Sequence, residues 1–142
     1  MAWEGTYASG AETLDFYRTV KEGCPETVFH GTDVGHQYDS TGARYRDYLE
    51  ERGLTDTEDY RLTLEAIEQG EAFAEQGSNA YRENRMAGNF IREFETLGGE
   101  SVMGIYGAAH TDPDAMADSA GTVPSMAAQL KERYGDALRT ED

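Results

Sequence analysis

The chain has 142 residues, a net charge of −16 and a pI near 4.4. Such an acidic surface repels nucleic acid and anionic membranes, and no apolar run is long enough to span a bilayer. Cys24 is alone, so neither an intrachain disulfide nor a cysteine-based zinc cluster can form.

The N-terminus shows no basic flank and no hydrophobic h-region, and the length suits one domain over residues 1–142, so the expectation is a cytoplasmic protein. Lys21 and Lys131 are the only lysines. Salt adaptation and a GC-rich genome would each produce that balance.

Residues 1–10 have no clear period. A helix is predicted over 11–21, with Leu14, Tyr17 and Val20 on one side and Gly23-Cys24-Pro25 as its stop. Cys24 is expected to be half-buried before that turn. The β-branched and aromatic run 27–33 reads as a short strand, with His30 packed or at its edge. A loop over 34–41 follows.

Next comes a helix over about 41–52, ended by Gly53. Thr55-Asp56-Thr57-Glu58 has the form of a capping box, so a further helix starts there, with Tyr60, Leu64 and Ile67 on one face and Gly70 as a weak point. Gly77-Ser78-Asn79 breaks the chain, and Ser78 or Asn79 caps a long helix reaching Leu97. Its stripe of Met86, Phe90, Ile91, Phe94 and Leu97 is the strongest amphipathic pattern in the sequence.

Gly98-Gly99 ends that helix, and residues 101–106 read as a second strand. Asp112-Pro113 predicts a helix start just after His110, and a last helix starts near Pro124 with Met126, Leu130 and Tyr134 inward. The expected fold is therefore α/β: a small or incomplete, mostly parallel sheet flanked by about six helices. Two strands are too few for a stable sheet. The chain is thus expected to be part of a larger domain, to hold further strands in its first ten residues, or to be completed by a partner.

His110 is the sharpest candidate for chemistry. Ligands in open α/β sheets bind beyond the carboxyl ends of strands, and a neutral imidazole there can serve as general base or metal ligand. Asp33 and His36 leave the other predicted strand. If the strands were parallel neighbours, Asp33, His36 and His110 would meet at one rim, as a carboxylate–imidazole pair or as ligands to a divalent metal. The alternative for Asp33 and His36 is an Asx-turn with an exposed histidine. Arg82 and Asn89 share a side of the long helix with Met86 at i, i+4 and i+7 spacing, and Glu83 is their polar neighbour. Their plain reading is a solvated helix face. No Gly-x-Ser-x-Gly elbow and no glycine-rich phosphate loop before a helix are present, so nucleotide-dependent and α/β-hydrolase chemistry lack support.

Arg82-Glu83-x-x-Met86-Ala87-x-Asn89, followed by an amphipathic helix and then Gly107-x-x-His110, resembles the erythromycin-esterase-like and ChaN-like superfamily, to which TraB-type proteases are similar. Phe29-x-Gly31-x-Asp33 resembles that group's Gly-x-Asp strand, and the likeness covers roughly residues 27–112. The resemblance implies an α/β sheet with a cleft at the strand ends. It also implies membership of a group of ester hydrolases, metal-dependent proteases and a haem- or iron-related lipoprotein. His110 would be the group's second histidine, and Arg82 and Glu83 its helix arginine and acid. The group's earlier strand, bearing Gly-x-x-His or Glu-x-x-His, and its next strand with a catalytic carboxylate have no match before Thr27. The chain thus resembles the C-terminal half of a member.

The expected function is hydrolysis of an ester or amide bond at an incomplete site. His110, Glu83 and Arg82 would be catalytic, and Asp33, His36 and Asn89 would bind a small-molecule substrate or ligand. The alternatives are a non-catalytic module for metal, haem or a small molecule, and assembly as a homodimer through an open sheet edge.

Overall fold

Six α-helices are present among residues 10–140, the part of the chain described by this computed structural model: α1 Ala11–Gly23, α2 Ala43–Glu51, α3 Glu58–Gln76, α4 Asn79–Thr96, α5 Ala108–Thr111 and α6 Met126–Tyr134. A turn of π-helix, Tyr38–Gly42, leads into α2, and a 3₁₀ turn, Gly135–Ala137, follows α6. No helix among the described residues is long and apolar enough to cross a membrane. The chain divides into two compact units, residues 10–31 with 35–71 and residues 32–34 with 72–140.

The expected α/β fold with a parallel sheet is not what forms. The described residues contain no strand; their one β-type pairing is the isolated antiparallel bridge between Met116 and Pro124. Segments 27–33 and 101–106, both read as strands, have neither ladder nor helix. Thr32 is buried and Tyr106 packs inward, but much of the segments' apolar surface stays outside, with Met103 79%, Val28 72% and Ile105 59% exposed. High β-propensity describes residues that fit a pleated, half-buried surface, and without a neighbouring strand there is no such surface to fit. The alternative of further strands near the N-terminus falls largely on residues 1–9, outside the described residues. With no sheet among the described residues, the expected dimer contact has no sheet edge there on which to form.

In the first unit, α1 carries Glu12 in its first turn and Lys21 in its last, matching the helix dipole at both ends. Lys21 Nζ donates to the carbonyls of Pro25 and Thr27 at 3.2 and 2.6 Å, holding the turn beyond the helix. Leu14, Tyr17 and Val20 are half-buried, and the Tyr17 ring meets Phe29 edge-on at 5.2 Å. Cys24 is exposed rather than half-buried, and His30 is exposed rather than packed.

The start of α3 also differs from expectation. Thr57, not Thr55, caps it: its hydroxyl accepts from Tyr60 N–H at 3.3 Å. Its packed face in this unit is Thr63, Ala66, Ile67 and Gly70, at i, i+3, i+4 and i+7. Leu64, expected inside, is 41% exposed. Gly70 is buried because the chain at Gly35 crosses α3 there: a Cβ on Gly70 would lie 2.1 Å from the Gly35 carbonyl oxygen, and one on Gly35 would lie 2.5 Å from that of Ala66. This approach of backbone to backbone is available only to glycine.

The second unit is built on α4 and α6. Ser78 caps α4 by accepting from Tyr81 N–H at 3.1 Å, and Gly98 and Gly99 close it at φ 65° and 97°. Buried Ser125 caps α6 by accepting from Ala128 N–H at 3.0 Å. Met86, Ala87, Met126 and Leu130 form the core, with Phe90, Ile91, Tyr106, Tyr134 and Leu138 packed against it. Phe94 stacks on Phe90 and meets Tyr134 edge-on. Each large apolar side chain so buried contributes roughly 1.5–3 kcal/mol. The long-helix stripe and the inward set of α6 are thus where periodicity predicts them.

Candidate functional site

The buried face of α4 is not wholly apolar. Glu83 stands one turn before Met86 and Ala87 on that face, and its side chain is only 3% exposed. An ionised carboxylate at such depth needs partners. Its Oε1 accepts from the backbone N–H of Met126, the first residue of α6, whose dipole favours a negative charge at that end. Its Oε2 lies 2.7 Å from Nδ1 of His110.

His110 lies within the single turn of α5, not ahead of a helix as the Asp112-Pro113 signal predicts. Asp112 instead makes an Asx-type turn, its Oδ1 accepting from Asp114 N–H at 2.9 Å. The protonation pattern of the ring is therefore read from its neighbours. The imidazole is 19% exposed, and Nε2 faces Nη1 of Arg82 at 3.2 Å. A guanidinium has donors only, so Nε2 accepts here. The proton then sits on Nδ1 and is donated to Glu83, so one tautomer satisfies both contacts.

Arg82 is itself gripped in fork geometry. Its Nε donates to Asp33 Oδ1 at 3.0 Å and its Nη2 to Asp33 Oδ2 at 2.7 Å. Asp33 Oδ1 also accepts from Val34 N–H at 2.8 Å. The segment 32–34 is anchored from behind: Asn89, buried on α4, donates to the Thr32 carbonyl at 3.1 Å. The Thr32 hydroxyl meets the Tyr106 hydroxyl at 2.5 Å. Burial pushes the Tyr106 phenol above its ordinary range and the Asp33 charge adds to this, while the Thr32 hydrogen bond works against it.

The result is a continuous chain of polar contacts from Asp33 through Arg82 and His110 to Glu83 and the start of α6. Of the residues singled out in the sequence, Asp33, Arg82, Glu83 and His110 come together, and Asn89 supports them through Thr32. His36 belongs to the other unit, where it lines a cavity. Thr32, Tyr106 and the Met126 N–H are the participants the sequence reading missed. The Pro124-Ser125 pair, a helix-start signal, could have pointed to the last of these.

Among the described residues no three His, Cys, Asp or Glu side chains gather as a metal-binding set. At this site the Arg82 guanidinium contacts both Asp33 and His110. The arrangement can relay a proton at Nε2, bind an anion or a polarised carbonyl at Arg82, or do both. No protein-family model, no curated protein and no solved structure matches the chain.

Proposed function

We propose that this chain is a hydrolase of ester or amide bonds in a small molecule, related to the erythromycin-esterase-like and ChaN-like group, with His110 as general base. The observation that carries this reading is the 2.7 Å contact between His110 Nδ1 and the buried Glu83 carboxylate. A carboxylate so placed orients the ring, selects the tautomer with Nε2 as acceptor and stabilises the imidazolium that forms when Nε2 takes a proton. The order of Arg82-Glu83 and His110 along the chain, now joined by their contact in space, supports the relationship.

The resting arrangement covers Nε2 with Arg82 Nη1. When a substrate carbonyl enters, Nη1 shifts to the carbonyl oxygen while the fork to Asp33 holds the rest of the guanidinium. Water then adds to the carbonyl carbon as its proton passes to Nε2, and Arg82 stabilises the oxyanion. The tetrahedral species expels the leaving oxygen or nitrogen, which takes that proton back from the imidazolium. The products are a carboxylic acid and an alcohol or amine. The unpaired, exposed Cys24 suits a reducing, cytoplasmic setting for this reaction.

A non-catalytic, anion-binding reading has one observation in its favour, the contact of Arg82 with the same nitrogen that must act as base. Hydrolysis of p-nitrophenyl acetate separates the two. Turnover that falls at least about a hundredfold in both His110→Ala and Glu83→Gln, in samples shown folded by circular dichroism, is the expected result. Turnover unchanged in both variants sinks the catalytic reading, and phosphate binding without turnover in the wild type establishes the other.

A further inference from the structure

A cavity of about 430 Å³ lies wholly within the first unit, between the chain at 35–45 and the face of α3 described above. Its walls include Gly35, His36, Tyr38, Tyr45, Ala66 and Ile67. The close crossing of Gly35 over Ala66 and Gly70 pins one side, and Gly42 seats against Ile67, where a Cβ would come within 3.1 Å of Cγ1. The Tyr45 ring is held by stacking on Tyr48, with centroids 6.0 Å apart and planes 11° from parallel, and Arg52 covers Tyr48 at 4.5 Å. The π-helical turn Tyr38–Gly42, a distortion that recurs at functional sites, forms part of the wall.

The wall is mostly carbon, and among the described residues no Lys, Arg, Asp or Glu side chain contributes to it. A charged ligand would lose its hydration with no opposite charge to replace it. An anion would in addition meet the field of a chain carrying −16. The volume lies in the range of small-molecule sites, which typically pair an apolar wall with a few polar groups. His36, Thr41 and Thr63 supply such groups here. We propose that this cavity binds an uncharged, ring-bearing apolar molecule of two or three rings, independently of the Glu83–His110 site.

The test uses two probes that share a scaffold, neutral N-phenyl-1-naphthylamine and its sulfonated relative 8-anilino-1-naphthalenesulfonate. The neutral probe is expected to bind saturably at one site per chain with enhanced emission, and the sulfonate at least about tenfold more weakly. Ala66→Leu, which fills the cavity, should abolish neutral-probe binding. Tyr45→Ala, at a half-exposed wall position, should weaken it at least about fivefold and serves if the first variant does not fold. His110→Ala should leave it unchanged. Absence of saturable binding, equal affinity for the two probes, or unchanged binding in a folded Ala66→Leu or Tyr45→Ala protein would overturn the proposal.

Discussion

Glu83 and His110 stand 27 residues apart in sequence and 2.7 Å apart at Oε2 and Nδ1. Because Glu83 also accepts from Met126 N–H, this one carboxylate joins α4, α5 and α6. Glu83→Ala would leave a buried N–H and an imidazole without their acceptor, and is expected to cost about 3 kcal/mol or more in urea unfolding. Glu83→Gln should cost less, since its oxygen still serves Met126, but its amide group would face Nδ1 as a donor and force the tautomer that conflicts with Arg82. An alanine variant as stable as the wild type would show that the contact does not form in solution.

Gly70 and Gly88 both sit inside helices, and their alanine variants should move stability in opposite directions. At Gly70 the added methyl would meet the Gly35 carbonyl at 2.1 Å, so backbone must shift and a loss of at least about 2 kcal/mol is expected. At Gly88 a Cβ meets nothing within 4 Å, so alanine should stabilise by about 0.5–1 kcal/mol through helix propensity. Thermal melts of the pair measure this, and a tolerated Gly70→Ala would mean that the crossing at Gly35 is looser than described.

Met86 is 0% exposed and Leu64 is 41% exposed, though helical periodicity places both on apolar faces. Met86→Ala should therefore cost about 2–5 kcal/mol. Leu64→Ala should stay within about 1 kcal/mol. Equal losses from the two would return Leu64 to the core and undo the face assigned to α3.

Tyr106 yields a prediction about alkaline stability. Its folded-state phenol titrates above the ordinary range because burial, seconded by the Asp33 charge, disfavours the phenolate. The folded protein therefore holds this proton more tightly than the unfolded chain does. The corresponding stability is complete below about pH 10, the ordinary tyrosine value, and is lost as pH rises through the raised one. Tyr106→Phe should flatten that part of the stability profile above about pH 10 while lowering neutral-pH stability by about 1 kcal/mol through loss of the Thr32 contact. An unchanged alkaline slope in the variant would refute the assignment.

Local chemistry explains what could be read in advance. Ser78, Gly53, Gly77 and the Gly98-Gly99 pair mark helix ends because caps and left-handed turns depend on residues a few positions apart. The stripe through Met86, Phe90 and Ile91 is likewise legible as spacing. The α3 face misled because periodicity shows that a helix has sides, not which side a loop will cover, and Gly70 reads as a weakness until Gly35 is seen against it.

Where most helices begin and end was legible along the chain, since caps and stops follow from contacts within one or two turns. That segments 27–33 and 101–106 find no strand partner among the described residues came from packing at long range. Packing likewise joined Asp33, Arg82, His110 and Glu83 and set His36 in the wall of the first unit's cavity. Strand pairing and buried polar contacts depend on groups tens of residues away, whose approach is set by the packing of whole helices and leaves no periodic trace along the chain.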